Sequence, residues 1–351
     1  MRPDDETLRQ LLASGILAPS AENRHYLRFE VCSDGVDLIA TDQASWAAQS
    51  HRRLLALLSY GAVIENLALR SVQLGHSMTA TLLTDPSRPD RMASLTWTAT
   101  TALPDPLCHA ISVRHTNRRF YRRHLLAAKT LVRLSAAAQS VPGADVLWLD
   151  DVPARSLALQ AIRLAETERF RQRALHDELF GAVRFDLGWH ASADEWLPPG
   201  ALEIELPMRL PFAWLRHWSI MRIANRFGLH AALGLRAGYL PCALAPHIGL
   251  IVADPQGTDC AALQAGRAFQ RLWLAATALG LSLQPMAAAT ALACQTAGEG
   301  WVSASVRSRL RHLLDDLSRG HDAQPFMLFR LGQAKEPTVV TGRMPLHHYM
   351  P

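Results

Sequence analysis

The sequence predicts an α+β protein made of two similar halves, and a repeated pattern of helices and strands supports this prediction. Gly61 and Gly75 of one apolar stretch recur 205 positions later as Gly266 and Gly280, with leucines repeated between them. Each stretch is typical of a long helix that closes on a glycine, the residue that best adopts a left-handed C-terminal cap. A shorter helix and a strand come before each stretch, and a strand follows. The 351 residues therefore read as one duplicated unit.

The first half is expected to span residues 1–107. A helix is predicted over 6–17, and a pair of strands within 27–38 around the turn signal Ser33-Asp34-Gly35. The strand after the long helix is predicted over 77–83.

The second half, 108–351, has the same order of elements. It contains a predicted helix over 127–138 and predicted strands over 145–149 and 282–286. An insertion of about 163–245 interrupts it before the long helix.

The insertion is rich in tryptophan and predicted to be helical, with a basic amphipathic helix over 210–234. Three roles compete for it: a lid over a ligand, a membrane-surface helix, or packing in a dimer. Lid and packing are favoured, because 34 of the 36 basic residues in the chain are arginine, and this bias enlarges every basic face. Its tryptophans are Trp189, Trp196, Trp214 and Trp218.

Composition excludes several classes of protein. Hydrophobic residues make up 49% and charged residues 19%, as in a packed globular protein. The net charge of +5 is spread along the chain without a nucleic-acid-binding motif, so no nucleic-acid partner is expected. The five cysteines are isolated from one another, which predicts neither a metal site nor a redox pair.

The chain is expected to be cytoplasmic. Its first residues are acidic and polar, unlike a secretory signal. The stretch 272–298 has no charge, yet it is rich in alanine and broken by Gly280 and Pro285. A buried helix running into a strand fits it better than a membrane span, so membrane contact is not expected.

Two short segments carry candidate chemistry. Arg114, Thr116 and Arg118 alternate along 114–119, and guanidinium groups with a hydroxyl suit a phosphate. The alternative is a solvated arginine-rich face, which is the interpretation kept for the neighbouring Arg119, Arg122 and Arg123. The second segment, 18–23, reads Ala-Pro-Ser-Ala-Glu-Asn and is either a capping turn or a loop that presents polar groups.

Together the two segments make the chain resemble the flavin-dependent nitroreductase superfamily, in particular its tandem branch, in which two nitroreductase-like halves are fused. Arg114, Thr116 and Arg118 match the family's Arg-x-Ser-x-Arg element for the phosphate of flavin mononucleotide (FMN), with threonine replacing serine. The family's Ala-Pro-Ser-x-x-Asn loop is matched by Ala18, Pro19, Ser20 and Asn23.

The resemblance implies a nitroreductase-like fold, in which mostly antiparallel sheets flanked by helices form an intramolecular pseudo-dimer around FMN. Weaker matches imply that Gln284, Pro285 and Met286 pass beside the flavin ring and that Arg343 approaches the phosphate. The segment around Gly332 resembles the family's last strand.

Two departures from the family limit the comparison. His25, Tyr26 and Leu27 stand where relatives continue with Gln-Pro-Trp, so a different ring environment is expected. The first half has no Arg-x-Ser-x-Arg element of its own, which predicts one flavin per polypeptide instead of two.

The activity implied is that of an FMN-dependent oxidoreductase. NAD(P)H would be its transient reductant, and a nitro compound, a quinone or another small molecule its electron acceptor. A non-catalytic flavin-storage protein covered by its insertion is one alternative, and an oxidase-like protein acting on a peptide or cofactor precursor is another. No catalytic acid or base is identified, and association into a homodimer is left open.

Overall fold

The computed structural model describes residues 2–83, 85, 87–255 and 257–351 and has an α+β fold. Within this part of the chain, the elements up to residue 99 are α1 (Asp5–Gly15), β1 (Leu27–Val31), β2 (Gly35–Ala40), α2 (Ser50–Gln73), β3 (His76–Leu82) and β4 (Arg91–Ala99). The later elements are α3 (Ala128–Gln139), β5 (Ala144–Trp148), α4 (Val152–Arg171), α5 (Arg173–Gly181), α6 (Arg209–Leu215), α7 (Trp218–Asn225), α8 (Leu229–Gly234), α9 (Leu240–Ala243), β6 (His247–Ala253), α10 (Thr258–Ala278), β7 (Ser282–Pro285), α11 (Ala288–Ala293), α12 (Ala304–Leu317) and β8 (Gln324–Gly332).

The strands form two antiparallel sheets with corresponding topology. The first has the order β1-β2-β4-β3, and the second has the order β5-β6-β8-β7. Strands β2 and β6 are buried along their whole length, in keeping with their internal places. The order of elements predicted from the repeat therefore corresponds to two sheets with the same strand order.

The long helices α2 and α10 pack closely against each other at a pair of glycines. A Cβ atom on Gly61 would collide with the backbone oxygen of Leu263, and one on Gly266 would collide with the backbone oxygen of Leu58. These contacts are reciprocal, because Leu58 and Leu263 are themselves 205 positions apart. The absence of a side chain at both glycines allows the two backbones to approach.

Polar side chains connect the same two helices. Buried Glu65 accepts hydrogen bonds from Arg267 Nε at 2.9 Å and Arg271 Nη1 at 2.8 Å. Gln270 Nε2 donates to Asn66 Oδ1 at 2.6 Å. Two arginines thus compensate the buried carboxylate of Glu65, and the core around α2 and α10 continues into both sheets.

The predicted elements outside the insertion are present, with ends shifted by at most two residues. Strand β4 was not predicted, although it is the partner of both β2 and β3. Strand β6 was not predicted either, because the expected insertion ran almost to its first residue.

The insertion is longer than predicted. It occupies 149–246, between β5 and β6, where the first sheet has only the short turn 32–34 between β1 and β2. Helix α4 begins directly after β5, capped by Asp151, whose carboxylate accepts a hydrogen bond from the Ala154 amide. The insertion therefore starts about fourteen residues before 163.

The single helix predicted over 210–234 is wrong. This segment forms α6, α7 and α8, separated at His217 and Gly228. His217 has an extended backbone, with φ −83° and ψ 111°, and Gly228 has a φ of 83°. Neither conformation continues a right-handed helix, so the amphipathic pattern is divided among three short helices.

Helix α2 is long and apolar enough to cross a membrane by length and composition alone. However, 72% of its 18-residue apolar window is buried inside the chain. Its apolar side chains belong to the core between the two sheets.

Candidate functional site

A cavity of about 300 Å³ lies between the loop 18–23, helices α2 and α10, strand β7 and the insertion. Helix α2 and the loop 18–23 form one side, and α10, β7 and α11 form another. Helices α4 and α5 of the insertion complete the wall. Its apolar lining is Leu55, Ala56, Leu58, Leu175, Leu197, Phe269, Trp273, Met286, Ala287, Ala288, Ala291, Leu292 and Met327.

The segment 114–119 reaches the cavity because Asn117 anchors it to the second sheet. The Asn117 amide donates to Leu283 O at 3.2 Å, and its side chain donates to Ser282 Oγ at 3.1 Å and Lys335 O at 2.8 Å. Neighbouring residues of an extended segment point to opposite sides. Asn117 is buried against β7, and Thr116 and Arg118 line the cavity.

Arg118 brings an uncompensated positive charge to the cavity. Its Nη1 donates to Ala201 O at 3.1 Å, and it forms no ion pair with a described residue. Burial, with a smaller contribution from the neighbouring Arg169, lowers the pKa of Arg118 to about 10, so the group stays charged at neutral pH. A desolvated guanidinium with free N–H groups favours an anionic ligand.

Arg114 lies outside the described cavity lining. Its amide donates to Ala110 O at 3.0 Å, so the backbone there is still in a helical turn and the alternation begins only after it. The guanidinium donates to Leu17 O at 3.0 Å and stacks on Trp273 at 4.5 Å. Burial and Arg343 lower the pKa of Arg114 to about 9. Arg114 and Arg118 therefore belong to different charge clusters.

The loop 18–23 contributes Pro19 and Ser20 to the cavity wall. Ser59 Oγ of α2 donates to Pro19 O at 2.9 Å, and buried His25 lies below the loop with Nε2 3.1 Å from Ile16 O. Burial lowers the pKa of His25 to about 3, so its imidazole is neutral. The hydroxyl of Ser20 is buried without a described hydrogen-bond partner.

Asn23 and Arg343 connect the loop 18–23 to the C-terminal segment and lie outside the described cavity lining. Asn23 has a φ of 61°, and its side chain donates to Trp196 O at 3.2 Å. Arg343 donates to Asn23 Oδ1 and, through Nη2, to Ala18 O at 2.7 Å. Their assignment to FMN, like that of Arg114, stays a prediction.

Strand β7 and the residue that follows it supply the remaining predicted residues, Pro285 and Met286, which line the cavity together with Gln284. Buried Arg330 of β8 donates to Gln284 Oε1 at 2.8 Å and to Arg119 O at 2.9 Å. Arg330 thereby fixes this strand relative to the segment that carries Thr116 and Arg118.

Sequence reasoning missed Glu22, a carboxyl in the cavity wall. Its φ of 56° is unusual for a residue with a side chain, and the tight loop imposes it. Burial, followed by the charge of Glu178, raises the pKa of Glu22 to about 7, although Arg169, Arg52 and Arg24 oppose this shift. The sequence signal that could have identified Glu22 was an acidic residue at a variable position of the Ala-Pro-Ser-x-x-Asn loop.

A second polar cluster was also missed. Glu178 of the insertion accepts from Arg52 Nε at 2.6 Å and lies 3.2 Å from His51 Nε2. Burial opposes ionisation of this carboxyl, yet its interactions with His51 and Arg52 hold the pKa of Glu178 below its usual value. Nothing in the local sequence relates residues 51 and 178, which only the fold brings together. No group of three metal-binding side chains occurs among the described residues.

The arrangement suits an organic anion with a flat apolar part. Arg118 and Thr116 provide donors to an anionic group, and the unpartnered Ser20 hydroxyl provides a further polar contact. The apolar wall can cover a ring system, and the cavity volume of about 300 Å³ lies at the lower end of the usual range of small-molecule sites. These features fit FMN.

Comparisons with known proteins give only distant likenesses. No protein-family model and no curated protein sequence matches the chain. Among solved structures, a nitroreductase with bound FMN from Desulfitobacterium hafniense shares 13% identity and a TM-score of 0.36, covering 69% of this chain and 95% of its own. An FMN-dependent nitroreductase from Mycobacterium smegmatis, in complex with NADPH, shares 16% identity with this chain at a TM-score of 0.35. The match covers 65% of this chain and 86% of the Mycobacterium smegmatis chain. A likeness at this level assigns neither a ligand nor an activity to this chain.

Proposed function

We propose that this protein binds FMN in the cavity and is an NAD(P)H-dependent oxidoreductase of nitroreductase type. One observation carries the proposal. Three segments far apart in sequence, marked by Ser20, Arg118 and Met286, match elements of that family and line one cavity. If the segment 18–23 were only a capping turn and the segment 114–119 only a solvated arginine-rich face, nothing would require both to line the same cavity.

Arg118 and Thr116 are the residues that would hold the phosphate, and Ser20 would bond the ribityl chain or the ring edge. Arg169 adds positive charge nearby, although Glu166 accepts from it at 3.2 Å and partly neutralises it. Arg118 therefore has the largest expected contribution to binding. A hydrogen bond to a charged group is worth about 1.5–3 kcal/mol.

When bound, FMN would supply hydride transfer between NAD(P)H and a nitro compound, a quinone or another small acceptor. The apolar wall would hold the ring and exclude water from it. The carboxyl of Glu22 can hold a proton near neutral pH, because its pKa is raised to about 7. Glu22 is the candidate proton donor of the cavity.

The two halves would act as an intramolecular pseudo-dimer. In a two-fold contact, residue i meets j and residue j meets i. The collisions that a Cβ would make at Gly61 and Gly266 follow this rule, and both sheets have the same strand order. The first half would then supply the loop with Ser20, and the second half the segment with Arg118.

The test is to purify the full chain and measure its visible absorbance, its affinity for added FMN, and its oxidation of NADH and NADPH with a nitroaromatic or quinone acceptor. We expect a yellow protein that turns over with at least one acceptor. A colourless protein that binds no added FMN would contradict the cofactor. Bound FMN without turnover would contradict the oxidoreductase.

A further inference from the structure

Helices α6 and α7 of the insertion expose an apolar face to solvent. Leu210 and Trp214 lie four residues apart on α6, and Ile220 and Ile223 lie three apart on α7, followed by Phe227. Trp214 is 64% exposed and Phe227 is 87% exposed. Contiguous apolar side chains on a surface commonly mark an interaction site.

This face is additional to the one that holds the helices in place. Phe212, Leu215 and Met221 on their opposite sides are buried in a cluster with Phe170 and Phe180. No residue of either helix contributes to the described lining of the cavity, which takes its insertion residues from 166–197. The exposed face therefore serves neither the core nor the cavity wall.

The charged side chains of α6 and α7 are all basic. The sequence has no aspartate or glutamate from residue 206 to residue 253. Arg216, Arg222 and Arg226 are exposed, and neither Arg222 nor Arg226 forms an ion pair with a described residue. We call this set, with Leu210, Trp214, Ile220, Ile223 and Phe227, the α6–α7 surface.

We propose that the α6–α7 surface docks onto a lipid bilayer that contains anionic lipid. The arginines contact lipid phosphates, and Trp214 and Phe227 enter the interfacial region, as in amphipathic helices that lie on membranes. A second copy of the chain fits less well, because a two-fold contact would bring together two surfaces whose helices both carry only positive charge. This revises the expectation that packing or a lid explains the basic segment.

The test is co-sedimentation of the full chain with vesicles of phosphatidylcholine plus phosphatidylglycerol, and with vesicles of phosphatidylcholine alone. We expect binding only to the anionic vesicles, and weaker binding as salt is raised, because salt screens the attraction. The double substitution Arg222→Glu with Arg226→Glu should weaken binding at least about thirtyfold. Trp214→Ser with Phe227→Ser should weaken it at least about tenfold.

Two matched variants serve as controls. Leu103→Ser with Leu125→Ser changes exposed apolar side chains elsewhere, and Arg122→Glu with Arg123→Glu changes exposed charges outside this surface. Both should bind like the unmodified chain. The thermal unfolding transition of each variant shows whether it is folded, and the arginine pair tests the surface independently of the apolar pair.

The proposal is overturned by any of three results. The first is no sedimentation with anionic vesicles at low salt. The second is an equal loss of binding in the control variants. The third is a dimer that the Trp214→Ser, Phe227→Ser variant converts to a monomer without vesicles, since that would assign the surface to a second copy.

Discussion

Arg118 is the residue on which the proposed binding of FMN would depend most directly. It lines the cavity with free donors and no carboxylate partner among the described residues. We expect Arg118→Ala to raise the Kd for FMN about 10- to 150-fold, because one charge-assisted hydrogen bond is worth about 1.5–3 kcal/mol. Arg118→Lys keeps the charge and should lose less. Fluorescence titration of FMN measures both.

Arg122→Ala with Arg123→Ala is the matched control and should leave the Kd unchanged. Arg114→Ala tests whether Arg114 stabilises the fold or helps Arg118 to hold the phosphate. Since Arg114 donates to Leu17 O and stacks on Trp273, its loss should lower the melting temperature more than the affinity. If Arg114→Ala weakens FMN binding as much as Arg118→Ala at unchanged stability, both arginines hold the phosphate.

Glu22 should make the stability of the protein depend on pH. Burial and Glu178 raise its pKa from 4.5 to about 7, so the folded chain binds a proton more tightly than the unfolded chain. Stability must then fall as pH rises between these two values. Glu22→Gln removes this dependence and should be more stable than the unmodified chain by about 1–3 kcal/mol at pH 8.

The measurement is urea unfolding of both proteins at pH 5 and pH 8. The difference in the free energy of unfolding between Glu22→Gln and the unmodified chain should increase with pH. Glu6→Gln, an exposed carboxylate on α1, is the control and should give a difference that is nearly constant. A constant difference for Glu22→Gln as well would show that Glu22 ionises normally.

At the scale of elements, the contact between α2 and α10 depends on the small size of its glycines. A Cβ at Gly61 would collide with backbone atoms, which cannot rotate away as a side chain can. We expect Gly61→Ala to lower the free energy of unfolding by about 1–3 kcal/mol through overpacking. It should also weaken FMN binding, since both helices line the cavity. Chemical denaturation and FMN titration measure the two effects.

Gly181→Ala at the end of α5 is the control, because no atom lies near the position of its added Cβ. It should be neutral or slightly stabilising, since alanine restricts the unfolded chain more than glycine does. Equal destabilisation by the two substitutions would mean that the close approach of α2 and α10 does not matter.

For the whole molecule, we expect one FMN per chain. The cavity takes its wall from the first half, the second half and the insertion together, so one chain makes one such site. Release of the flavin by denaturation, followed by absorbance measurement against protein concentration, gives the ratio. A ratio near two would contradict an arrangement in which the halves share one site.

The sequence predicted more of the fold than of the site. The regular recurrence of apolar residues and the 205-residue spacing of the repeat identified α2, α10 and the strands beside them. These elements bury apolar residues at regular intervals, which leaves a visible pattern in the sequence. Strand β4 has mixed polar and apolar residues and was missed, although two neighbouring strands pair with it. The cluster of His51, Arg52 and Glu178 could not be predicted, since Glu178 lies more than 120 positions from the other two residues.

By itself the sequence predicted two similar halves, an insertion that divides the second, and the segments with Ser20 and Arg118 as candidates for one ligand. The first two predictions follow from local pattern and repetition, and the third follows from the resemblance to the nitroreductase superfamily. Only the tertiary structure decided that Arg118 lines the cavity while Arg114 does not, that Glu22 is desolvated, and that α6 and α7 expose a second apolar face. Each depends on which distant segment packs against a side chain, and that packing sets its burial and the charges around it.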